Sequence, residues 1–425
     1  MDQLLSRNSA LLLAELTEHF PAVEVLGARQ VGKSTLTKQV SDDLARAGTN
    51  VLSFTMDDPE TRSVAASDPR GFLSQNPAGM MVIDEFQRVP ELILPLKAEI
   101  DRLRRPGRFL ITGSSKMTTG EAAADSLAGR VTSLQIRGFS QGELLGVKED
   151  FVARVLADFA PANEASALTR SDYVDIIWRG SMPEAQQLSD RMRQTWMKSY
   201  ISRLLSRDIQ ELAKIRQPEQ VMALLRALAA VQGSETIVGR LANDLNIAAG
   251  SAAQYLRLLE GLFLVDLLPP WTPNLLKREV GRHKSVISDP GLGLWLTGAK
   301  PAILKDLVKG QSFGGFLEAF VASELLRQKT WASDDWELFH YRSPDGREID
   351  LVIELDDGRV IALEVKAASS VAPGDYRHLA WLREKLGDRF VAGYVLTTDT
   401  HGRLLGDRLA ALPVAALWSP TPSNP

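Results

Sequence analysis

The stretch PAVEVLGARQVGKSTLTKQVSDDLARA, residues 21–47, constrains this chain more than any other. A short apolar run, VEVL, enters a loop with glycines at 27 and 32, and a helical pattern follows from Lys33. Strand, glycine loop and helix is the context in which GxxxxGK[ST] wraps a phosphate. Glycines let the loop turn its N–H groups inward, and the helix behind adds the positive end of its dipole. The expected nucleotide-binding segment is therefore Gly27, Ala28, Arg29, Gln30, Val31, Gly32, Lys33, Ser34 and Thr35. Lys33 is expected at the β- and γ-phosphates and Ser34 at Mg2+, so ATP and Mg2+ are the expected ligands.

A second element fits the same chemistry. Residues 80–85, MMVIDE, read as an apolar strand ending in two acids. Asp84 is placed to hold Mg2+ through water and Glu85 to polarise the attacking water. RFLITGSS, residues 108–115, ends in small hydroxyl residues, and Ser114 is a candidate contact to the γ-phosphate or that water. VLSFTMDDP, residues 51–59, supplies another strand. Strands alternating with helices predict an α/β fold with a parallel sheet covered on both faces, and phosphate chemistry at the carboxyl ends of its strands.

GARQVGKST, VIDEFQRVPEL, FLITGSS and SLAGRV, in this order, resemble a prokaryotic AAA-type P-loop ATPase family whose members carry a C-terminal domain of unknown function. The resemblance continues through RGSMPEA (179–185), SRDIQEL (206–212) and KSVISDPGL (284–292). It implies ATP binding and hydrolysis. It also makes Arg130 the first candidate for a catalytic arginine finger, with Arg88 and Arg29 as alternatives.

The length of 425 residues predicts several domains. The limits expected are 1–145 for the ATPase domain, 146–215 for a helical linker or lid, 216–303 for a winged-helix-like region and 304–425 for a C-terminal α/β domain. There is no cysteine, which excludes disulfides, thiolate zinc sites and thiol catalysis. The five histidines show no metal-ligand spacing. No run approaches the ~20 apolar residues a bilayer span needs, and ALLLAEL reads as an amphipathic helix, so no membrane partner and a cytoplasmic location are expected. A net charge of −4 means that DNA binding would need a local basic patch.

In the linker, Trp196, Tyr200, Leu204 and Leu205 recur at helical spacing and read as core. ETIVGRLANDLNIAAGSAAQYLRLLEGLFLVDLL, residues 235–268, reads as helix, turn at Asn246, helix and strand, a pattern that resembles a winged helix. Gln254 and Arg257 are its candidate base readers, and Lys277, Arg278, Arg282 and Lys284 form a basic stretch behind it.

GREIDLVIELDDGRVIALEVKAA, residues 346–368, reads as a hairpin closed by DDG with Gly358 in the left-handed conformation. Paired numbers then sum to 714, so Ile349 faces Val365, Leu351 faces Leu363, Ile353 faces Ile361 and Asp350 faces Glu364. Two carboxylates about 5 Å apart repel by about 3 kcal/mol at an effective dielectric of 20, and so call for a cation. Mg2+ is one, and Lys366 as a diagonal partner is the other. The D…ExK pattern resembles the PD-(D/E)XK nuclease superfamily, with Ile349 in place of the proline. The resemblance implies metal at Asp350, Glu364 and a helix Glu318, with Lys366 acting on the water; Glu324 is a weaker alternative to Glu318. Three function classes stay open: an ATP-driven switch on a protein partner, an ATP-regulated metal-dependent DNA nuclease, and a DNA-binding regulator with an inactive nuclease-like fold. Each is compatible with an oligomer.

Overall fold

The computed structural model describes residues 5–114, 127–157, 164–204, 217–272, 278 and 281–420. The chain divides into two compact units. One comprises 1–138 with 261–263, the other 139–260 with 264–425.

The first unit is built on five strands: β1 (Ala22–Leu26), β2 (Val51–Thr55), β3 (Met80–Asp84), β4 (Phe109–Gly113) and β5 (Val131–Gln135). They form one parallel sheet in the order β2-β3-β4-β1-β5. Alternation sends Val82, Val23 and Val25 to one face, against Leu36 and Val40 of the helix Lys33–Arg46. Met81, Ile83 and Phe109 go to the other, against Ile93, Leu96 and Ile100 of the helix Ile93–Arg102. Burial on both faces is what makes β3 and β4 read as unbroken apolar runs. The expected parallel α/β fold is the one observed.

The second unit carries a six-stranded mixed sheet. Its strands are β8 (Trp336–Arg342), β9 (Glu348–Leu355), β10 (Val360–Lys366), β11 (Phe390–Thr397), β12 (Arg403–Gly406) and β13 (Leu409–Pro413), in the order β12-β13-β11-β10-β9-β8. The helix Phe313–Gln328 precedes β8, and the helix Arg377–Leu386 connects β10 to the parallel β11. A separate pair, β6 (Val265–Leu268) and β7 (Lys284–Ile287), runs antiparallel. Upstream of β6 lie the helices Val238–Asp244 and Ala249–Gly261, with Asn246 at positive φ between them.

The hairpin register is the expected one from Glu354–Val360 to Leu351–Leu363, with Gly358 at φ 82° in the turn. It departs at Asp350. On the other edge of β9, Phe339 faces Val352 but Tyr341 faces Ile349, so Asp350 and Leu351 together oppose the single residue His340. This β-bulge reverses the alternation. Ile349 consequently packs with Val352 in one core layer, while Val365 packs with Leu351 in the other. The expected Ile349–Val365 pair is therefore not formed.

Residues 303 and 304 fall within the same compact unit. One core draws on Phe151 and Tyr173 from the linker, Leu268 and Val286 from the β6–β7 pair, and Leu317, Leu363 and Leu417 from the C-terminal sheet domain. The linker stripe is partly seen. Tyr200 and Leu204 are buried and Trp196 stacks on Tyr200, whereas Leu205 and the SRDIQEL segment lie outside the described residues.

Candidate functional sites

At the carboxyl edge of the parallel sheet, the loop after β1 reaches the helix Lys33–Arg46 through Gly32 at φ 100°. A Cβ on Gly27 would lie 2.5 Å from the Ile136 carbonyl, so only glycine fits. Lys33 is buried, and its Nζ donates to the carbonyls of Gly27 (3.1 Å) and Ala28 (3.0 Å) across the mouth of the loop. Ser34 Oγ donates to Asp84 at the end of β3, 2.8 Å from Oδ1 and 3.0 Å from Oδ2. A hydroxyl and a carboxylate converging this closely form a donor set suited to a hard cation, so the residues fit Mg2+.

Glu85 follows at φ 54°, a conformation non-glycine residues seldom adopt. Two residues missed in the sequence hold it there. Thr112 Oγ1 in β4 donates to Asp84 Oδ1 (2.6 Å) and accepts from the Glu85 N–H (3.0 Å). Gln87 Nε2 donates both to Glu85 Oε2 and to Ser114 Oγ, the latter at 2.9 Å. The structure thus gathers Lys33, Ser34, Asp84, Glu85 and Ser114 at one edge.

Arg130 is elsewhere. It immediately precedes β5, whose Val131 faces Ala22 and whose Gln135 faces Leu26. At about 3.3 Å per residue it lies on the order of 15 Å from the phosphate loop, at the amino edge of the sheet. There it forms a two-pronged ion pair with Asp101, at 2.7 and 3.0 Å. A finger role for Arg130 within its own site is therefore corrected by the parallel register. Arg88 pairs with Asp57 at 2.8 Å.

The C-terminal acids surround a cation that is part of the chain. Lys284 Nζ lies 2.8 Å from Glu318, 3.3 Å from Glu348 and 3.9 Å from Asp350, with its side chain only 2% exposed. Asp350 Oδ2 accepts from the Val365 N–H at 2.8 Å, and Lys366 Nζ pairs with Glu364 at 2.9 Å. Burial, and then the neighbouring Asp350, pushes Glu318 up to about 8 and moves Glu364 in the same direction. Burial alone would lower the Lys284 ammonium, but Glu318, Asp350 and Glu348 outweigh it and hold the proton more firmly than usual. Among the described residues, no group of three or more His, Asp or Glu is placed to hold a metal ion. The joint metal site expected at Glu318, Asp350 and Glu364 is accordingly not formed, because the ammonium sits among the acids. Glu324 points away from this cluster, pairing with Arg327 at 2.8 Å and accepting from the Gln141 N–H at 2.9 Å.

The basic stretch proposed for DNA is largely consumed. Lys284 is buried, and Arg278 makes a two-pronged pair with Glu354 that is mostly shielded from solvent. Arg282 stays exposed near Glu235, and Lys277 lies outside the described residues. Gln254 and Arg257 are exposed on their helix, opposite the buried Ala252, Tyr255 and Leu258.

Residues 19–145, which carry the parallel sheet and its phosphate loop, match the AAA domain family. Residues 170–302 and 313–417 match two domains of unknown function, DUF8612 and DUF4143. Two mycobacterial relatives, the uncharacterized proteins Rv2008c of Mycobacterium tuberculosis and Mb2031c of Mycobacterium bovis, are each 28% identical over 369 residues, covering 86% of this chain and 74% of theirs. Among solved structures, the Walker-type ATPase paby2304 of Pyrococcus abyssi is 15% identical over 69% of this chain and 96% of its own, with a TM-score of 0.42. AMPPCP-bound DnaA of Aquifex aeolicus is 10% identical over 59% and 85%, with a TM-score of 0.27. No helix among the described residues is long and apolar enough to cross a membrane.

Proposed function

We propose that this chain hydrolyses ATP in a Mg2+-dependent reaction and uses the cycle to set the state of its C-terminal module. The observation that carries this reading is the connected set Ser34–Asp84–Thr112–Glu85 beside the phosphate loop. Ser34 and Asp84 would hold Mg2+, which when bound supplies charge neutralisation to the phosphates. Lys33 would exchange its carbonyl partners for phosphate oxygens. Glu85 would accept the proton of the attacking water, oriented by the Thr112 bond to its N–H and by Gln87. Ser114 would share that amide and face the γ-phosphate. Arg130, if it acts as a finger, would do so on another copy, since it stands at the far edge of its own sheet, and Arg29 and Arg88 are the alternatives within the chain.

Glu85→Gln tests this reading. Hydrolysis should fall by roughly 100-fold or more while ATP still binds, because only the acceptor of the water proton is lost. Equal turnover of variant and wild type would overturn the assignment.

For the C-terminal module, the order helix-β8-β9-β10-helix-β11 with Asp350, Glu364 and Lys366 on the central hairpin supports a nuclease-like fold. Its ligand is proposed to be DNA or a protein partner. The placement of Lys284 favours a module that binds without cutting. The limits 1–145, 146–215, 216–303 and 304–425 are proposed as sequence modules, the last three folding on one core.

A further inference from the structure

We infer that Lys284 is the resident cation of the C-terminal acidic site, its ammonium standing where a divalent ion would have to bind and closing the site to that ion. The inference is independent of the ATP reading, because every residue it uses lies in the second unit.

The position of Lys284 is fixed by its backbone as well as by its charge. β7 is paired with β6 at Lys284–Leu268, and Glu235 bridges Lys284 from the other side. Two residues upstream, the Arg282 carbonyl lies 2.9 Å from His340 Nε2, which donates to it. His340 is the residue that faces the Asp350–Leu351 bulge. One side chain therefore ties the lysine-bearing strand to the point where β9 turns Asp350 out of register. An adventitious surface lysine would have none of these ties.

The chemistry of the pocket matches an ammonium. The ammonium donates to Glu318, from the helix Phe313–Gln328, and forms ion pairs with Glu348 and Asp350 of β9. A divalent ion on the same oxygens would sit at about 2.0–2.6 Å from them. The Nζ already lies 2.8 Å from Glu318 Oε1, so the two cations would be nearly in contact. Like charges that close, away from solvent, repel strongly. The charge count agrees. Glu318, Glu348, Asp350 and Glu364 face Lys284, Lys366 and Arg342, the last 3.5 Å from Glu348. Little uncompensated charge is left to strip a dication of its water.

The test is a Mn2+ titration of the full nucleotide-free chain at pH 8, with free Mn2+ read by electron paramagnetic resonance. Wild type and Asp350→Asn should bind the same number of ions. Lys284→Gln should take up one more, at least about 10-fold tighter than any such site in wild type, and Lys284→Gln/Asp350→Asn should lose it again. A wild-type ion that disappears in Asp350→Asn would overturn the inference. So would a Lys284→Gln protein that melts cooperatively yet gains no ion. If Lys284→Gln does not fold, the comparison of wild type with Asp350→Asn decides alone, equal stoichiometry supporting the inference.

Discussion

At the scale of single residues, the ATP site depends on side chains with no motif of their own. Thr112 is fully buried and satisfies both the Asp84 carboxylate and the Glu85 N–H. Thr112→Val keeps the shape but leaves that N–H without its acceptor. A loss of about 1–3 kcal/mol in stability is expected, with slower ATP turnover, checked by denaturant melts and steady-state hydrolysis. Lys33 and Ser34 were legible in the sequence because strand, loop and helix lie in one short run, and Asp84 and Glu85 because they end an apolar strand. Thr112 and Gln87 were not, because their partners meet only when β3 and β4 lie side by side. The one available signal was a threonine inside the apolar run FLITG. Lys284 misled for a related reason. A lysine among other basic residues reads as surface, and only the tertiary placement of Glu318 and Asp350 makes it a buried counter-ion.

At the scale of elements, period-two reading found the hairpin and its turn but not the bulge. A bulge adds a residue without changing composition, so alternation on β10 cannot reveal a kink set by β8. The start of the helix Gln141–Leu145 is a joint of another kind. Ser140 caps it in a reciprocal pair with Glu143, and Ser140 Oγ also donates to the buried Glu149. Burial pushes Glu149 up to about 8 from an ordinary 4.5. Between those values the folded chain keeps a proton that the unfolded chain has released, so this group favours folding less as pH rises. Glu149→Gln removes the titration. Its melting temperature relative to wild type should therefore climb from pH 5 to pH 8, as read by thermal melts across that range. A flat difference would mean Glu149 is not the titrating group.

At the scale of the whole molecule, the expected modules and the observed units differ because hydrophobic surface is shared across module limits. Two separate family matches, at 170–302 and 313–417, fall on this one core. The sequence could not show that Tyr173 gives its hydroxyl to the Ala415 N–H as acceptor, at 3.0 Å. A fragment of 304–425 should therefore fail to melt cooperatively, while 139–425 should do so, as followed by circular dichroism. The same core sets a schedule during synthesis. The ring of Phe151 rests on that of Tyr394, 5.8 Å between centroids, and Tyr173 meets Trp418 at 6.4 Å. At ~5–20 residues per second, the earlier partners leave the ribosome roughly 12–50 s before the later ones. For that interval a finished ATP-binding sheet trails an open apolar surface, and whatever shields nascent chains must hold it until the last strands arrive.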